Sequence, residues 1–130
     1  MRHPILLSTF AAIGLAACSA TAGNMMPEGI TTHKTAIGTV LANDAGMTLY
    51  VFDKDKPGVS NCYGGCAEKW PPAFADADTK LADGFSLVSR KDGTSQIAYH
   101  DAPLYTWFKD KAPGDTTGDG VKGVWHVAKP

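Results

Sequence analysis

Residues 49–58 read LYVFDKDKPG, and residues 104–113 read LYTWFKDKAP. The second stretch respells the first at an offset of 55 residues: Leu49 with Leu104, Tyr50 with Tyr105, Phe52 with Trp107, Asp55 with Asp110. Lys54 and Lys56 keep the same offset to Lys109 and Lys111, as do Gly38-Thr39 to Gly93-Thr94 and Trp70 to Trp125. The alignment needs no gap from Gly38 to Trp70. Matches this dense, with two rare tryptophans in register, indicate an internal duplication of one supersecondary unit.

The unit reads as β structure. TAIGTVLAN (35–43) and MTLYVF (47–52) are rich in strand formers, and Asp44-Ala45-Gly46 between them is a turn signal, so the pair predicts a hairpin. TSQIAYH (94–100) and PLYTWF (103–108) repeat that reading around His100-Asp101-Ala102. FSLVSR (85–90) predicts a further strand and GVWHVAK (123–129) a closing one. CAEKW (66–70) allows one helical turn, which Pro71-Pro72 stops, and residues 111–120 form a loop. The expectation is a mainly β single domain of two duplicated hairpin units, six or so short strands, closed as a small barrel or packed as a sandwich.

Side chains alternate along a strand, so Tyr50 and Phe52 share one face while Leu49 and Val51 share the other; Tyr105 and Trp107 behave likewise. Asp55 and Asp110 fall just past the strand. The repeated pattern is therefore Tyr-x-aromatic-x-x-Asp followed by a turn. A buried tyrosine needs a partner for its hydroxyl, and an acid after the strand can supply it. A catalytic centre needs one set of groups, whereas a structural corner is wanted in every copy. The competing reading is a pair of aromatic-acidic patches that bind a ligand or partner.

Before the duplicated part, the chain opens MRHPILLSTFAAIGLAAC. A cationic start, a short apolar run and Leu15-Ala16-Ala17-Cys18 predict a signal peptide over residues 1–17, too short to span a bilayer. The ending matches a lipobox, so Cys18 is the expected lipidation site; each buried acyl methylene contributes about 0.8 kcal/mol to anchoring. Residues 18–32, small, polar and broken by Gly and Pro, read as the lipidated cysteine and a flexible tether, and 33–130 as the folded domain. By resemblance to the sorting rules of bacterial lipoproteins, Ser19 after the cysteine implies the outer membrane, facing the periplasm, in a Gram-negative source.

Loss of Arg2 with the signal takes Lys+Arg from 12 to 11 against 13 Asp+Glu, a net charge of −2. Neither nucleic acid nor a polybasic membrane patch is indicated. Cys62 and Cys66 remain as an even pair outside the cytoplasm, which predicts a disulfide clamping the CYGGC turn.

Chemistry is sparse. Ala67 follows Cys66 where covalent haem needs His. His33, His100 and His126 show no ligand spacing, although with Met25 and Met26 they keep an extracytoplasmic metal or redox role open as the alternative. Asp115 and Asp119 do not fit a calcium loop and read as a glycine-rich turn. No Gly-x-Ser-x-Gly is present, and Tyr99-His100-Asp101, read as strand neighbours, point to opposite faces.

GMTLYVFDKD, CYGGCAEKWPP, DAPLYTWFKD and PGDTTGDG before GVWHV occur in this order over about residues 35–128. Together with the lipobox they resemble the bacterial lipoproteins with a Yx(FWY)xxD motif, also called secreted repeats of unknown function. The resemblance implies an envelope lipoprotein and carries no established activity. The expected function is thus a non-enzymatic, lipid-anchored cell-envelope protein without a cofactor, held to the membrane by its lipid and acting on an envelope protein or a small ligand.

Overall fold

The computed structural model of the protein describes residues 29–130. The expected signal peptide, Cys18 and the tether up to residue 28 lie outside the described residues. Eight short strands, one helix and one 3₁₀ turn make up the domain: β1 (Ile30–Thr35), β2 (Gly38–Asn43), β3 (Tyr50–Phe52), α1 (Gly65–Lys69), β4 (Phe74–Ala75), β5 (Phe85–Ser89), β6 (Ser95–Tyr99), β7 (Ala102–Pro103), the 3₁₀ turn Val121–Gly123 and β8 (Trp125–Val127).

Each repeat begins with a hairpin. β1 pairs antiparallel with β2, from Ile30 opposite Asn43 to Thr35 opposite Gly38. β5 pairs with β6 in the same way, from Phe85 opposite Tyr99 to Ser89 opposite Ser95. The first hairpin therefore turns at Ala36-Ile37, inside the expected strand 35–43, and β1 takes residues 30–32 from the expected tether. Asp44-Ala45-Gly46 does turn the chain. It brings residues 47–49 beside β2 through Asn43 N–H to Met47 O and Leu49 N–H to Leu41 O, both 2.9 Å. The matching turn in the second copy is one residue shorter. His100 and Asp101 both have positive φ, 48° and 66°, the mark of a two-residue type I′ hairpin turn. This corrects the gap-free alignment. Ile30 matches Phe85 at 55 residues, Asn43 matches Tyr99 at 56, and the offset returns to 55 after the turn.

The two repeats meet between β3 and Tyr105, an isolated bridge residue where the sequence predicts the strand 103–108. Tyr50 and Tyr105 exchange both backbone hydrogen bonds, Tyr50 N–H to Tyr105 O at 2.7 Å and Tyr105 N–H to Tyr50 O at 3.0 Å. Outside this pair, Tyr50 lies opposite Val127 and Tyr105 opposite Pro72, again 55 residues apart. Asp53 N–H bonds Val124 O at 2.8 Å, and Phe108 N–H bonds Lys69 O at 2.9 Å. These contacts on one side recur on the other at the same offset, so the halves are related by a pseudo-twofold axis between Tyr50 and Tyr105.

The strands fall into three small sheets, β1-β2, β3-β8 and β4-β6-β5 with β7 on β6. The sheets do not close into a barrel, one of the two packings expected. A local reason is that pairing at the centre is brief: β3 has three residues, Tyr105 pairs only as an isolated bridge residue, and Pro71-Pro72 withhold two amide donors on that flank. Alternation along both segments builds two cores. Tyr50, Tyr105, Trp70, Trp107, Trp125 and Cys62 form one. Leu49, Leu104, Leu41, Ile97, Ile30 and Ala128 form the other.

Candidate functional site

At the pseudo-twofold axis the repeated tyrosines are wholly buried, at 0% exposure, and Asp110 is 7% exposed. The Tyr50 hydroxyl donates to Asp110 Oδ2 at 2.6 Å. The Tyr105 hydroxyl donates to Asp55 Oδ2 at 2.7 Å. Each tyrosine thus uses the acid of the other repeat. The reason is geometric: the segments around Tyr50 and Tyr105 run antiparallel side by side, so the chain past one arrives beside the start of its partner.

The second oxygen of each acid ties down the following loop. Asp55 Oδ1 accepts the Asn61 N–H at 2.6 Å. Asp110 Oδ1 accepts the Thr117 N–H at 3.0 Å and its hydroxyl at 2.6 Å. Burial pushes both tyrosine hydroxyls far above their ordinary range, and the facing carboxylates add to the rise. Burial also raises the Asp55 carboxyl, against the lowering effect of Asn61 N–H, the Tyr105 hydroxyl and the Arg90 charge.

Four aromatic rings stack beneath the tyrosines. Phe52 lies 4.1 Å from Trp125, Trp125 3.7 Å from Trp70, and Trp70 3.9 Å from Trp107. The pseudo-twofold axis passes between Trp125 and Trp70. Tyr50 meets Trp70 edge-on at 5.3 Å, and Tyr105 meets Trp125 edge-on at 5.2 Å. Such pairs contribute about 0.5–1.5 kcal/mol each beyond area burial. Trp70 and Trp125 follow α1 and the 3₁₀ turn respectively, so each short helical turn serves to aim one indole at the axis.

Symmetry breaks in the flanking loops. Cys62 and Cys66 are joined, with their Cα atoms 5.3 Å apart, and both pack against the aromatic core. Sequence reasoning missed Arg90, which is buried at 5% exposure. Its guanidinium donates to Ser60 Oγ and Gln96 Oε1 at 2.8 Å and to Cys62 O at 2.7 Å. It also lies 4.2 Å from the centre of the Tyr63 ring. Ser60 in turn contacts the Tyr105 hydroxyl at 2.6 Å. Because Arg90 donates to Ser60 and Tyr105 donates to Asp55, Ser60 must donate to Tyr105. A polar chain therefore runs from the buried cation to the partly buried Asp55. The sequence places a lone arginine at a strand end, which carries no signal of burial.

The remaining candidates disperse. His126 Nε2 and Asp53 Oδ2 pair at 2.8 Å on the surface, both about half exposed. Asp115 accepts the Lys111 and Ala112 N–H groups and Asp119 accepts the Val127 N–H, so both act as loop ties. Tyr99 and His100 do not point to opposite faces. His100 sits in the turn, and its ring stacks on Tyr99 at 4.0 Å. Among the described residues no three His, Cys, Asp or Glu side chains converge. A shallow hollow of about 580 Å³ borders Phe74, which is 56% exposed, together with Asp76 and Thr94.

A family model described as a secreted repeat of unknown function matches twice, over residues 31–74 and 86–129. The chain belongs to the secreted repeat of unknown function family. Its two matches begin in β1 and β5 and end past Trp70 and Trp125, so each family repeat is one half of the pseudo-twofold pair. The family description places the protein outside the cell or in its envelope, with unknown activity. Neither the curated proteins nor the solved structures hold a match to this chain.

Proposed function

We propose that this secreted repeat protein is a non-enzymatic, lipid-anchored component of the cell envelope, a rigid two-repeat module that acts by binding. The observation that carries this reading is the use of the doubled motif. Tyr50, Tyr105, Asp55 and Asp110 satisfy one another and the adjoining loops, so the conspicuous titratable groups serve the fold. Activity then belongs to the outer surface, where Phe74 stands exposed beside its hollow. The lipobox Leu15-Ala16-Ala17-Cys18 supports the anchor, and a net charge near zero fits a protein or small-ligand partner better than nucleic acid.

Metabolic labelling with palmitate tests the anchor. The full chain is expected to take up label and sediment with membranes, and Cys18→Ala to lose both. An unlabelled, soluble wild-type chain contradicts the reading. Binding is tested by capture of envelope extracts with the wild type and Phe74→Ser, where loss of a specific partner in the variant is the expected result.

A further inference from the structure

Trp107, Trp70 and Trp125 are stacked with centres 3.9 and 3.7 Å apart, and Tyr50 and Tyr105 each touch one of them edge-on. Indole and phenol are the side-chain rings that most readily give up one electron, and at such separations an electron passes directly between them. A phenol does so easily only where its proton can leave in the same event. Both buried tyrosines have that outlet, because each hydroxyl already donates to a carboxylate oxygen, at 2.6 and 2.7 Å. Asp55 is also held more basic than usual by its burial. The other two tyrosines lack the arrangement. Tyr63 carries the Arg90 cation over its ring, which opposes electron loss, and its hydroxyl accepts the Lys91 N–H. Tyr99 stacks on His100, and its hydroxyl has no carboxylate partner among the described residues.

We propose that the tryptophan stack and the two motif tyrosines form a path for one-electron oxidation, in which an oxygen-centred radical takes an electron from the stack and the deficit settles on Tyr50 or Tyr105. Entry is at Trp107, the most exposed of the three indoles at 8%. The radical gains one electron and becomes its anion. The indole radical cation recovers an electron from Tyr50 through Trp70. At the same time the Tyr50 O–H bond breaks, and the proton forms a new O–H bond at Asp110 Oδ2. A neutral tyrosyl radical and a carboxylic acid remain. Through Trp125, Tyr105 and Asp55 Oδ2 the same step runs in the other repeat. None of this depends on the lipid anchor.

Pulse radiolysis of the full chain in detergent, with azide radical as the oxidant, reads the path by transient absorption. The tryptophyl signal is expected to decay as a tyrosyl signal rises, at one first-order rate that ignores protein concentration and slows in heavy water. Tyr63→Phe/Tyr99→Phe should keep the tyrosyl signal, and Tyr50→Phe/Tyr105→Phe should lose it. If circular dichroism shows the latter variant unfolded, the heavy-water rate and the Tyr63→Phe/Tyr99→Phe protein decide. A tyrosyl signal lost in Tyr63→Phe/Tyr99→Phe, surviving in a folded Tyr50→Phe/Tyr105→Phe, or indifferent to heavy water overturns the proposal.

Discussion

Gly118 shows how closely single residues are fitted at the axis. A Cβ there would stand 2.9 Å from both Trp107 Cγ and Trp70 Cη2, and 3.0 Å from Tyr50 Cε1. The Gly118 N–H also donates to the Tyr50 hydroxyl at 3.2 Å. Two stacked indoles with the Tyr50 ring packed edge-on against them cannot move aside, so Gly118→Ala is expected to destabilise the domain by about 1–3 kcal/mol. Urea unfolding checks this as a lower midpoint with unchanged slope. The tyrosines set the alkaline limit. Their hydroxyls hold the proton far above the value of about 10 at which an unfolded tyrosine ionises. A group whose folded pKa is raised contributes stability that is intact below the unfolded pKa and is lost as pH rises above it. Stability should therefore fall above about pH 10, by about 1.4 kcal/mol per pH unit for each tyrosine. Tyr50→Phe and Tyr105→Phe should each remove one share of that slope, measured by urea unfolding at stepped pH.

Among the elements, the hairpins show what the chain's spelling reveals and what it hides. β5 is legible in FSLVSR, but its counterpart β1, ITTHKT, is masked by Gly29 and the small polar residues before it. Projecting β5 back by 55 residues lands on Ile30, so the duplication itself held the missing signal. The one-residue register shift was not legible, because it depends on His100 and Asp101 adopting positive φ without glycine. The alternation that buries Tyr50 on one face and Leu49 on the other was legible, since both faces of a central strand find a core. The Cys62–Cys66 bond fixes only the turn before α1. Its loop is short, so the chain-entropy contribution is about 2 kcal/mol. Reduction should lower the thermal midpoint while leaving the far-ultraviolet spectrum of the folded state in place. Collapse of the fold on reduction contradicts this view of a local clamp.

For the molecule as a whole, the repeats are not two beads on a string. The Tyr–Asp bonds and the indole stack cross from one half to the other, and each half lacks an acid for its own tyrosine. Unfolding should accordingly be one transition, with tryptophan fluorescence and far-ultraviolet dichroism superimposing. The sequence displayed the two motifs but not their crossing, because pairing within a motif and pairing between motifs have the same spelling. Antiparallel contact between β3 and Tyr105 decides it. A double-mutant cycle reads this crossing most directly. Tyr50→Phe and Asp110→Asn should couple by about 0.5–3 kcal/mol, although 60 residues separate them, whereas Tyr50→Phe and Asp55→Asn should add to within about 0.5 kcal/mol. Coupling of Tyr50 to Asp55, its neighbour in sequence, with none to Asp110 would contradict the interlocked arrangement.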